Sequence, residues 1–476
     1  TYNGPWDLPL NLDKLSGLAK LSGEKGDVRW EVSATAYDNT WDSSDQIPLR
    51  AVESGQIDRF GYIDDDLGGE TSRYSLSSLI EYNHASGAVT TASAYAVAYD
   101  FALWSNFTYF LENPVNGDQL KQTDERTYYG GKLVHAVPVN EKLDVTFGAE
   151  TRFDDISEVG LFNTVDRVPF NTVRKDSVEE FSAAIWGQAD YQFTPDLRGT
   201  IGLRGDYIDA DVNAITLPVN SGGADDTLLS PSAALAWRAT DLMELYFNYG
   251  EGFHSNDVRG STIQVDPVSG DPADQVPLFA KAKGAEIGAR FETGDLKTTI
   301  ALFHLELDSE LVFVGDAGTT EVNDATVRNG VEATAFWRPN DWFVGDLAVS
   351  VTDGRFDISG DDDKIPNSIE TVLSGGALFR FDPLTLSARL RHFGESPLIE
   401  DGSVYSEPTT IVNLGATYDW NDLTFGLEVL NALDAEDSDI TYFFESQLPG
   451  ETSPVEDIHF KPVEPRQIRA SIRYNF

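Results

Sequence analysis

A two-residue alternation constrains the fold of this chain more than any other feature, and it is clearest in the segment Arg466 to Phe476. Because successive side chains of a β-strand point to opposite faces, this pattern predicts a strand with one apolar and one polar face. A strand that ends on an aromatic residue is typical of outer-membrane β-barrels, whose last strand closes the barrel with aromatics at the membrane interface. The residues expected to form this barrel-closing strand are Ile468, Ile472, Tyr474 and Phe476.

The same alternation recurs along the chain in about 19 segments rich in aromatic and β-branched residues. In Ala94 to Asn106 we expect Phe101 to face lipid and Ala98 to face the interior. In a later segment we expect Phe247 to face lipid and Asn248 the interior. Several segments run past the 5–6 residues usual in soluble sandwiches, as tilted membrane strands must.

The connections between these segments alternate between short and long. Short ones include Thr194 to Asp196 and Asn421 to Asp422. Long, acidic, Gly/Pro-rich ones include Trp41 to Ser72, Ser255 to Phe279 and Asn431 to Glu464. Tight periplasmic turns and long extracellular loops give outer-membrane barrels this sidedness. A propeller repeat of about 40–45 residues is not found.

Strand parity predicts what completes the barrel. The chain of 476 residues has no apolar run of transmembrane-helix length. With the last strand ending in the periplasm, counting back places Thr1 to Leu12 in an extracellular loop. We therefore expect residues 1–476 to form one all-β transmembrane antiparallel barrel domain. Its signal peptide, plug and about three first strands would be missing from a barrel of about 22.

Charge and cysteine content exclude several kinds of site. The net charge of −45 repels nucleic acid, so no nucleic-acid partner is expected. The absence of cysteine excludes disulfides and thiolate metal sites. The acidic loops either keep the barrel apart from its neighbours or form a vestibule that attracts cations. Their clusters, Asp64 to Asp66, Asp361 to Asp363 and Asp434 to Asp439, lack EF-hand spacing and are interpreted as solvated charge rather than Ca²⁺ sites.

Several motifs together resemble the barrel of proteobacterial TonB-dependent receptors. They are Tyr249 to Asp257 (YGEGFHSND), Leu307 to Asp316, Arg328 to Glu332 and Val463 to Phe476. The resemblance implies an outer-membrane barrel of a Gram-negative bacterium, filled by an N-terminal plug. It also implies import of a scarce nutrient, such as a ferric siderophore or cobalamin, energised by TonB. The implied partners are TonB through the missing N-terminal part, outer-membrane lipid, the barrel assembly machinery and a small ligand such as an iron chelate.

The candidate ligand-binding residues lie where an outward-running strand enters a long loop, at the expected mouth of the barrel. They are His254, Ser255, Asn256, Asp257 and Arg259. These polar groups could hydrogen-bond a ligand, since pockets fix orientation with a few such groups. The alternative is a network that only orders the base of the loop.

The remaining histidines and wall charges have structural interpretations. None of the six histidines has metal-ligand spacing, so neither a metal site nor a cofactor is expected. We expect His304 to face the lumen together with Glu306. Inward-facing charges should form ion pairs along the wall or with a plug, because buried charges need partners. They are Arg469 and Arg473, beside Ser471, and Arg204 with Asp206.

Enzyme signatures are absent from the sequence. There is no G-x-S-x-G, P-loop or G-x-G-x-x-G motif, so no catalytic residue is expected and the chain is interpreted as a non-enzyme. Two alternatives to active transport stay open: a passive porin-type channel, and a soluble β-rich adhesin or binding protein.

Overall fold

The computed structural model describes residues 2–309, 311–314, 319–322, 324–360 and 362–475. Within them the chain is all-β apart from two short helices, α1 (Leu49–Glu53) and α2 (Val258–Thr262), and one 3₁₀ turn, Pro218–Asn220. Neither described helix has the length and apolarity needed to cross a bilayer.

Twenty-four strands are described. In chain order they are β1 (Asp13–Lys25), β2 (Val28–Ser43), β3 (Ile47–Pro48), β4 (Leu67–Asn83), β5 (Val89–Ser105), β6 (Leu120–Asn140), β7 (Leu143–Val165), β8 (Val168–Thr194), β9 (Leu197–Ala214), β10 (Gly222–Thr240), β11 (Met243–Ser255), β12 (Phe279–Glu292), β13 (Leu296–Leu307), β14 (Leu311–Val314), β15 (Thr319–Val322), β16 (Thr326–Trp337), β17 (Phe343–Phe356), β18 (Thr371–Phe381), β19 (Leu384–Phe393), β20 (Thr409–Trp420), β21 (Leu423–Leu430), β22 (Ser438–Ser446), β23 (Val455–Pro462) and β24 (Gln467–Tyr474).

One large sheet dominates the fold. Strands β14 and β15 pair with each other, and β22, β23 and β3 form a small sheet. The other described strands form a single 19-stranded sheet, antiparallel from each strand to the next along the chain, which agrees with the number expected from sequence. Strands β1 and β24 are its edges. They do not pair with each other within the described residues, so the sheet is not closed.

Loops from the two ends of the sheet nevertheless meet. Strand β23, in the loop before β24, pairs with β3, in the loop after β2. The Tyr2 hydroxyl donates to the Glu464 carboxylate at 2.6 Å. Arg50 Nε lies 2.9 Å from Glu451 Oε1. The sheet therefore curls back on itself around a central space, the lumen, and the segment before β1 lies among the long loops, as predicted.

Strand register identifies the outward face. Phe247 lies directly beside Leu235 and Ile287, and the same row continues through Leu302 and Val331. All five side chains are exposed. A row of exposed apolar side chains across five strands fits a wall that faces hydrocarbon. Phe247 therefore points outward, as the sequence predicted.

The face assignment of β5 is the reverse of the prediction. Phe101 lies beside Asp124, whose carboxylate accepts a hydrogen bond from Arg126 Nε at 2.7 Å on the inner face. Ala98 lies beside Tyr74, which is exposed on the outer face. Phe101 thus faces the lumen and Ala98 faces outward. One face of this strand is aromatic and the other mostly alanine, so alternation alone could not show which side meets lipid.

Exposed aromatic side chains gather near the turn-side ends of the strands. They include Phe193, Trp237, Trp337, Trp342, Phe381, Trp420 and Tyr474. Such a ring is the aromatic girdle found where a membrane barrel meets the bilayer surface. The short turns therefore lie at one membrane boundary.

The long loops match the prediction with one exception. The loop after β11 runs from Ser255 to Phe279, as expected. Strands β7 and β8, by contrast, are joined on the loop side by only Asp166 and Arg167, both with positive φ (50° and 61°), as in a type I′ hairpin turn. These strands are 23 and 27 residues long, so they extend well past a bilayer that about 9–11 residues can span.

Candidate functional site

The loop between β11 and β12 folds inward over the wall of the lumen. Asp257 begins α2 by accepting a hydrogen bond from the Arg259 backbone N–H at 2.9 Å. Val258 packs into a buried apolar cluster with Val178, Ile208 and other residues of the neighbouring strands. Burial of apolar surface therefore holds this loop against the inner face of β7 to β10.

A buried ion network reinforces this attachment. The Arg259 guanidinium binds the Asp257 carboxylate, with Nη2 2.5 Å from Oδ2, and its Nη1 lies 3.7 Å from Asp176 Oδ2. Arg174 Nε lies 2.5 Å from the same Asp176 oxygen, and these two residues are only 3% and 1% exposed. Burial pushes the pKa of Asp257 upward, but the adjacent Arg259 guanidinium outweighs it and holds the pKa at about 2. The four side chains thus act as a charge-paired clamp, the α2 clamp, between loop and wall.

The structure brings four of the five predicted residues to one cavity. Ser255, Asn256, Asp257 and Arg259 line it. Asn256 also holds the loop, since its backbone N–H donates to Leu278 O at 2.9 Å and its Nδ2 donates to Pro277 O at 2.5 Å. His254 lies apart from the cavity lining and makes a 3.2 Å contact with the carbonyl of Ser309.

This cavity, the lumen cavity, has a volume of about 690 Å³ and lies between the β11–β12 loop that contains α2 and the inner face of the wall. Ten charged residues line it: Arg126, Lys132, Glu150, Arg152, Asp154, Glu180, Arg204, Asp206, Asp257 and Arg259. Seven of them pair with a charged residue two positions away in the sequence, as in Arg152–Asp154 at 2.5 Å. The predicted pairing of Arg204 is present, at 2.7 Å from Asp206 and 2.5 Å from Glu150.

Most of this lining was not predicted from the sequence. The signal available was a repeated Arg-x-Asp spacing, in Arg152–Asp154, Arg174–Asp176 and Arg204–Asp206. Two-residue spacing on a strand places both side chains on one face. Which strands bring these pairs together depends on register across the sheet, which the spacing does not contain.

His304 faces outward, contrary to the prediction. It is on the face of Leu302, which belongs to the exposed apolar row. Its Nδ1 lies 2.8 Å from Asn329 Oδ1, and its Nε2 lies 3.1 Å from Glu306 Oε1. The prediction placed His304 in the lumen because it is polar, and polar side chains of a membrane strand usually face inward. His304 lies near the loop end of β13, where an outward polar group can lie above the hydrocarbon.

The last strand has the predicted faces. Ile468, Ile472 and Tyr474 are exposed on the outer side, beside Val429, Phe425 and Leu423 of β21. Arg469, Ser471 and Arg473 occupy the opposite face, and Arg469 Nη2 donates to Gln467 Oε1 at 2.9 Å. Phe476 lies outside the described residues. So do Asp361 of one acidic cluster and Glu310, Gly315 and Asp316 of the Leu307 to Asp316 motif.

The described residues of the acidic loop clusters make hydrogen bonds and ion pairs with other segments of the chain. Asp64 Oδ2 accepts a hydrogen bond from Asn106 Nδ2 at 2.8 Å, and Asp66 lies 3.1 Å from Arg167. Asp434 pairs with Arg466 at 2.7 Å. No group of three or more potential metal ligands occurs among the described residues.

Comparison with known proteins places this geometry in a family. The sequence family described as TonB dependent receptor-like, beta-barrel, matches residues 14–432. No curated protein sequence matches the chain.

Solved structures of this kind share the fold. The ferric-catecholate import receptor Fiu from Escherichia coli K12 is 15% identical, with a TM-score of 0.76 over 100% of this chain and 76% of that one. The ferric yersiniabactin uptake receptor FyuA from Yersinia pestis is 12% identical, with a TM-score of 0.77 over 100% and 73%. The copper transporter OprC is 14% identical, with a TM-score of 0.75 over 98% and 73%.

TonB-dependent receptor barrels are outer-membrane proteins of Gram-negative bacteria, and they are transporters rather than enzymes. Both statements agree with the location and the lack of catalysis expected from sequence. The match covers most of the chain, and the 19-stranded antiparallel sheet with its turn-side girdle is the architecture of such a barrel. This chain belongs to the TonB-dependent receptor family, whose outer-membrane β-barrel it matches over residues 14–432.

Proposed function

We propose that this protein captures a scarce nutrient, such as a ferric siderophore or cobalamin, at the cell surface and imports it with energy from TonB. Family membership over residues 14–432 is the observation that carries the proposal. Structurally similar proteins include a ferric-catecholate import receptor, a ferric yersiniabactin uptake receptor and a copper transporter. These cargoes favour a metal or a metal chelate as the ligand of this protein.

The two unpaired sheet edges support a larger closed barrel. A sheet edge exposed to hydrocarbon leaves backbone N–H and C=O groups without partners, which a membrane does not tolerate. Strands β1 and β24 both run from the loop side to the turn side. Antiparallel closure between them needs an odd number of strands, and three would give a barrel of about 22, the size that holds a plug. Residues 1–476 would then be one barrel domain, assembled by the barrel assembly machinery into outer-membrane lipid.

Ligand capture is assigned to the mouth of the lumen. His254, Ser255, Asn256, Asp257 and Arg259 lie where β11 enters the inward-folded loop, and four of them border the cavity. An imported ligand would contact this rim before a plug rearranges beneath it. The wall supplies hydrogen bonds and charge and carries out no covalent chemistry.

Uptake assays in cells test the transport proposal. We expect iron-starved cells that depend on this receptor to accumulate a radiolabelled ferric chelate or cobalamin only when TonB is present. Receptor-dependent uptake that continues in a TonB-deficient strain would instead indicate a passive porin. Extraction of the protein from cells without detergent would indicate a soluble adhesin.

A further inference from the structure

Two histidines from different parts of the chain meet at the turn end of the wall. His84 lies in the turn between β4 and β5, and His135 lies in β6. Their ring centroids are 5.4 Å apart, with the ring planes at 89°. Strand register brings them together, because Thr90 of β5 lies directly between His135 on one side and Tyr82 on the other. No spacing of metal ligands in the sequence could have indicated this pair.

Both imidazoles point at one oxygen atom. His84 Nε2 lies 2.7 Å from Thr90 Oγ1, and His135 Nδ1 lies 2.8 Å from the same atom. Two imidazole nitrogens and a hydroxyl oxygen therefore converge on one point of the wall. Imidazole nitrogen is a preferred ligand of Zn²⁺, Cu²⁺ and Ni²⁺, and convergence of several ligand atoms is what such an ion requires.

The spacing of the two rings fits coordination of one ion. Imidazole nitrogens bind Zn²⁺ at about 2.0–2.1 Å, so two imidazoles on one tetrahedral ion have ring centroids about 5 Å apart. The observed separation of His84 and His135 is 5.4 Å. Ligand atoms of such an ion lie about 3.4 Å from each other, so its entry needs each nitrogen to move less than about 1 Å from the Thr90 hydroxyl.

The backbone and the neighbouring rings hold the two histidines in place. The His84 N–H donates to Ala88 O at 2.8 Å, which fixes the turn. The Tyr82 ring packs edge-on against His84 with centroids 4.4 Å apart, and the Phe147 ring lies 5.3 Å from that of His135. Side chains that are already held in place lose little conformational freedom when a ligand binds, which favours binding.

We propose that His84 and His135 bind a divalent transition-metal ion, such as Zn²⁺ or Cu²⁺, with the Thr90 hydroxyl and water completing its coordination. The ion would link the β4–β5 turn to β6 and so stabilise this part of the wall. The site lies at the turn end of the strands, whereas the mouth of the lumen lies at their loop end. The inference therefore goes beyond the proposed function and does not depend on it.

Calorimetric titration of the purified, untagged full-length protein with Zn²⁺ tests this inference. Excess Mg²⁺ in the buffer would occupy the carboxylates of the acidic loops, because Mg²⁺ prefers oxygen ligands. At about pH 8, where imidazole is neutral, Zn²⁺ should bind saturably with one ion per chain. His84→Gln and His135→Gln should each weaken this binding about tenfold or more, since a nitrogen ligand is lost while glutamine can still bond Thr90.

His392→Gln is the matched control. His392 also bonds a threonine hydroxyl, with Nδ1 2.8 Å from Thr410 Oγ1, but no second histidine packs against it among the described residues. Its substitution should change the Zn²⁺ affinity less than twofold.

Electron paramagnetic resonance of the Cu²⁺-loaded wild type counts the ligands without any variant. The spectrum should show two imidazole nitrogens on one ion. A spectrum with one nitrogen or none, equal Zn²⁺ affinity in the wild type and both site variants, or an equal loss in the control variant would each overturn the inference. Nutrient uptake does not enter these measurements, so the proposed import stands or falls separately.

Discussion

At the scale of single residues, two positions decide what a side chain of the wall contributes: the face of the sheet on which it lies, and its distance from the middle of the membrane. An outward side chain near the middle of the membrane lies in hydrocarbon, whereas an inward one reaches water or a paired charge. Sequence alternation placed Phe247 correctly because its strand has one oily and one polar face. It reversed Phe101, because β5 has an apolar face on each side. It misplaced His304, because alternation does not show how far a residue lies from the middle of the membrane.

Arginine substitutions measure these faces directly. Phe247→Arg should lower the free energy of unfolding by about 2–4 kcal/mol in lipid, while Asn248→Arg should cost much less. In β5 the relative penalties should follow the faces seen in the structure rather than those predicted from the aromatic pattern. Ala96→Arg, on the outer face beside exposed Leu76, should cost more than Phe101→Arg. Urea unfolding in lipid vesicles, followed by tryptophan fluorescence, gives the values, and equal penalties within either pair would contradict the assignment.

At the scale of elements, the sequence predicted most of the strands and the sides of their connections. Turn residues and alternation are local signals, so the long loop from Ser255 to Phe279 was bounded correctly. The α2 clamp and the lumen cavity could not be predicted. They depend on contacts between Arg259 and Asp176, which are far apart in sequence and are brought together by sheet register and loop folding.

The α2 clamp should respond strongly to loss of its central guanidinium. Arg259→Ala leaves buried Asp176 with a single ionic partner and partly buried Asp257 with only the backbone hydrogen bond at the start of α2, so opening of the loop should become about 3–5 kcal/mol easier. Hydrogen exchange of residues 256–278 measures this opening. Arg355→Ala breaks an exposed pairing with Asp353 and Asp363 and should change local stability by less than about 1 kcal/mol. Similar changes in the two variants would exclude the clamp.

The small sheet of β22, β23 and β3 should respond to acid. Its His459 is fully buried, stacks on Phe444 with ring centroids 3.7 Å apart, and bonds Ser446 Oγ at 2.7 Å. Burial lowers the pKa of His459 from 6.5 to about 4. As pH falls from 6.5 toward 4, the unfolded histidine takes up a proton before the folded one does. The stability that is present above pH 6.5 is therefore lost.

His459→Gln isolates this effect, because glutamine can bond Ser446 but does not titrate. The stability of wild type relative to the variant should decrease by about 3 kcal/mol between pH 7 and pH 4. Hydrogen exchange of β22 and β23 at several pH values gives this difference. A difference that stays constant with pH would contradict a buried neutral imidazole.

At the scale of the whole molecule, a membrane barrel and a soluble sandwich differ in what the apolar face of the sheet contacts. Nineteen strands curl until loops from both ends of the sheet meet, and the seam lies between β1 and β24. The exposed apolar rows and the turn-side girdle fit lipid outside, and the ion pairs fit a polar lumen inside. A soluble sandwich with the same alternation would instead bury its apolar face between two layers.

Single-cysteine scanning of β5 and β11 in proteoliposomes tests this arrangement most directly, since the natural chain has no cysteine to interfere. Labels at Ala94, Ala96, Leu245 and Phe247 should be quenched by brominated lipid and shielded from a water-soluble thiol reagent. Labels at Tyr95, Val97, Tyr246 and Asn248 should show the opposite behaviour. Labels on both faces that are equally shielded from lipid and from water would contradict a membrane barrel.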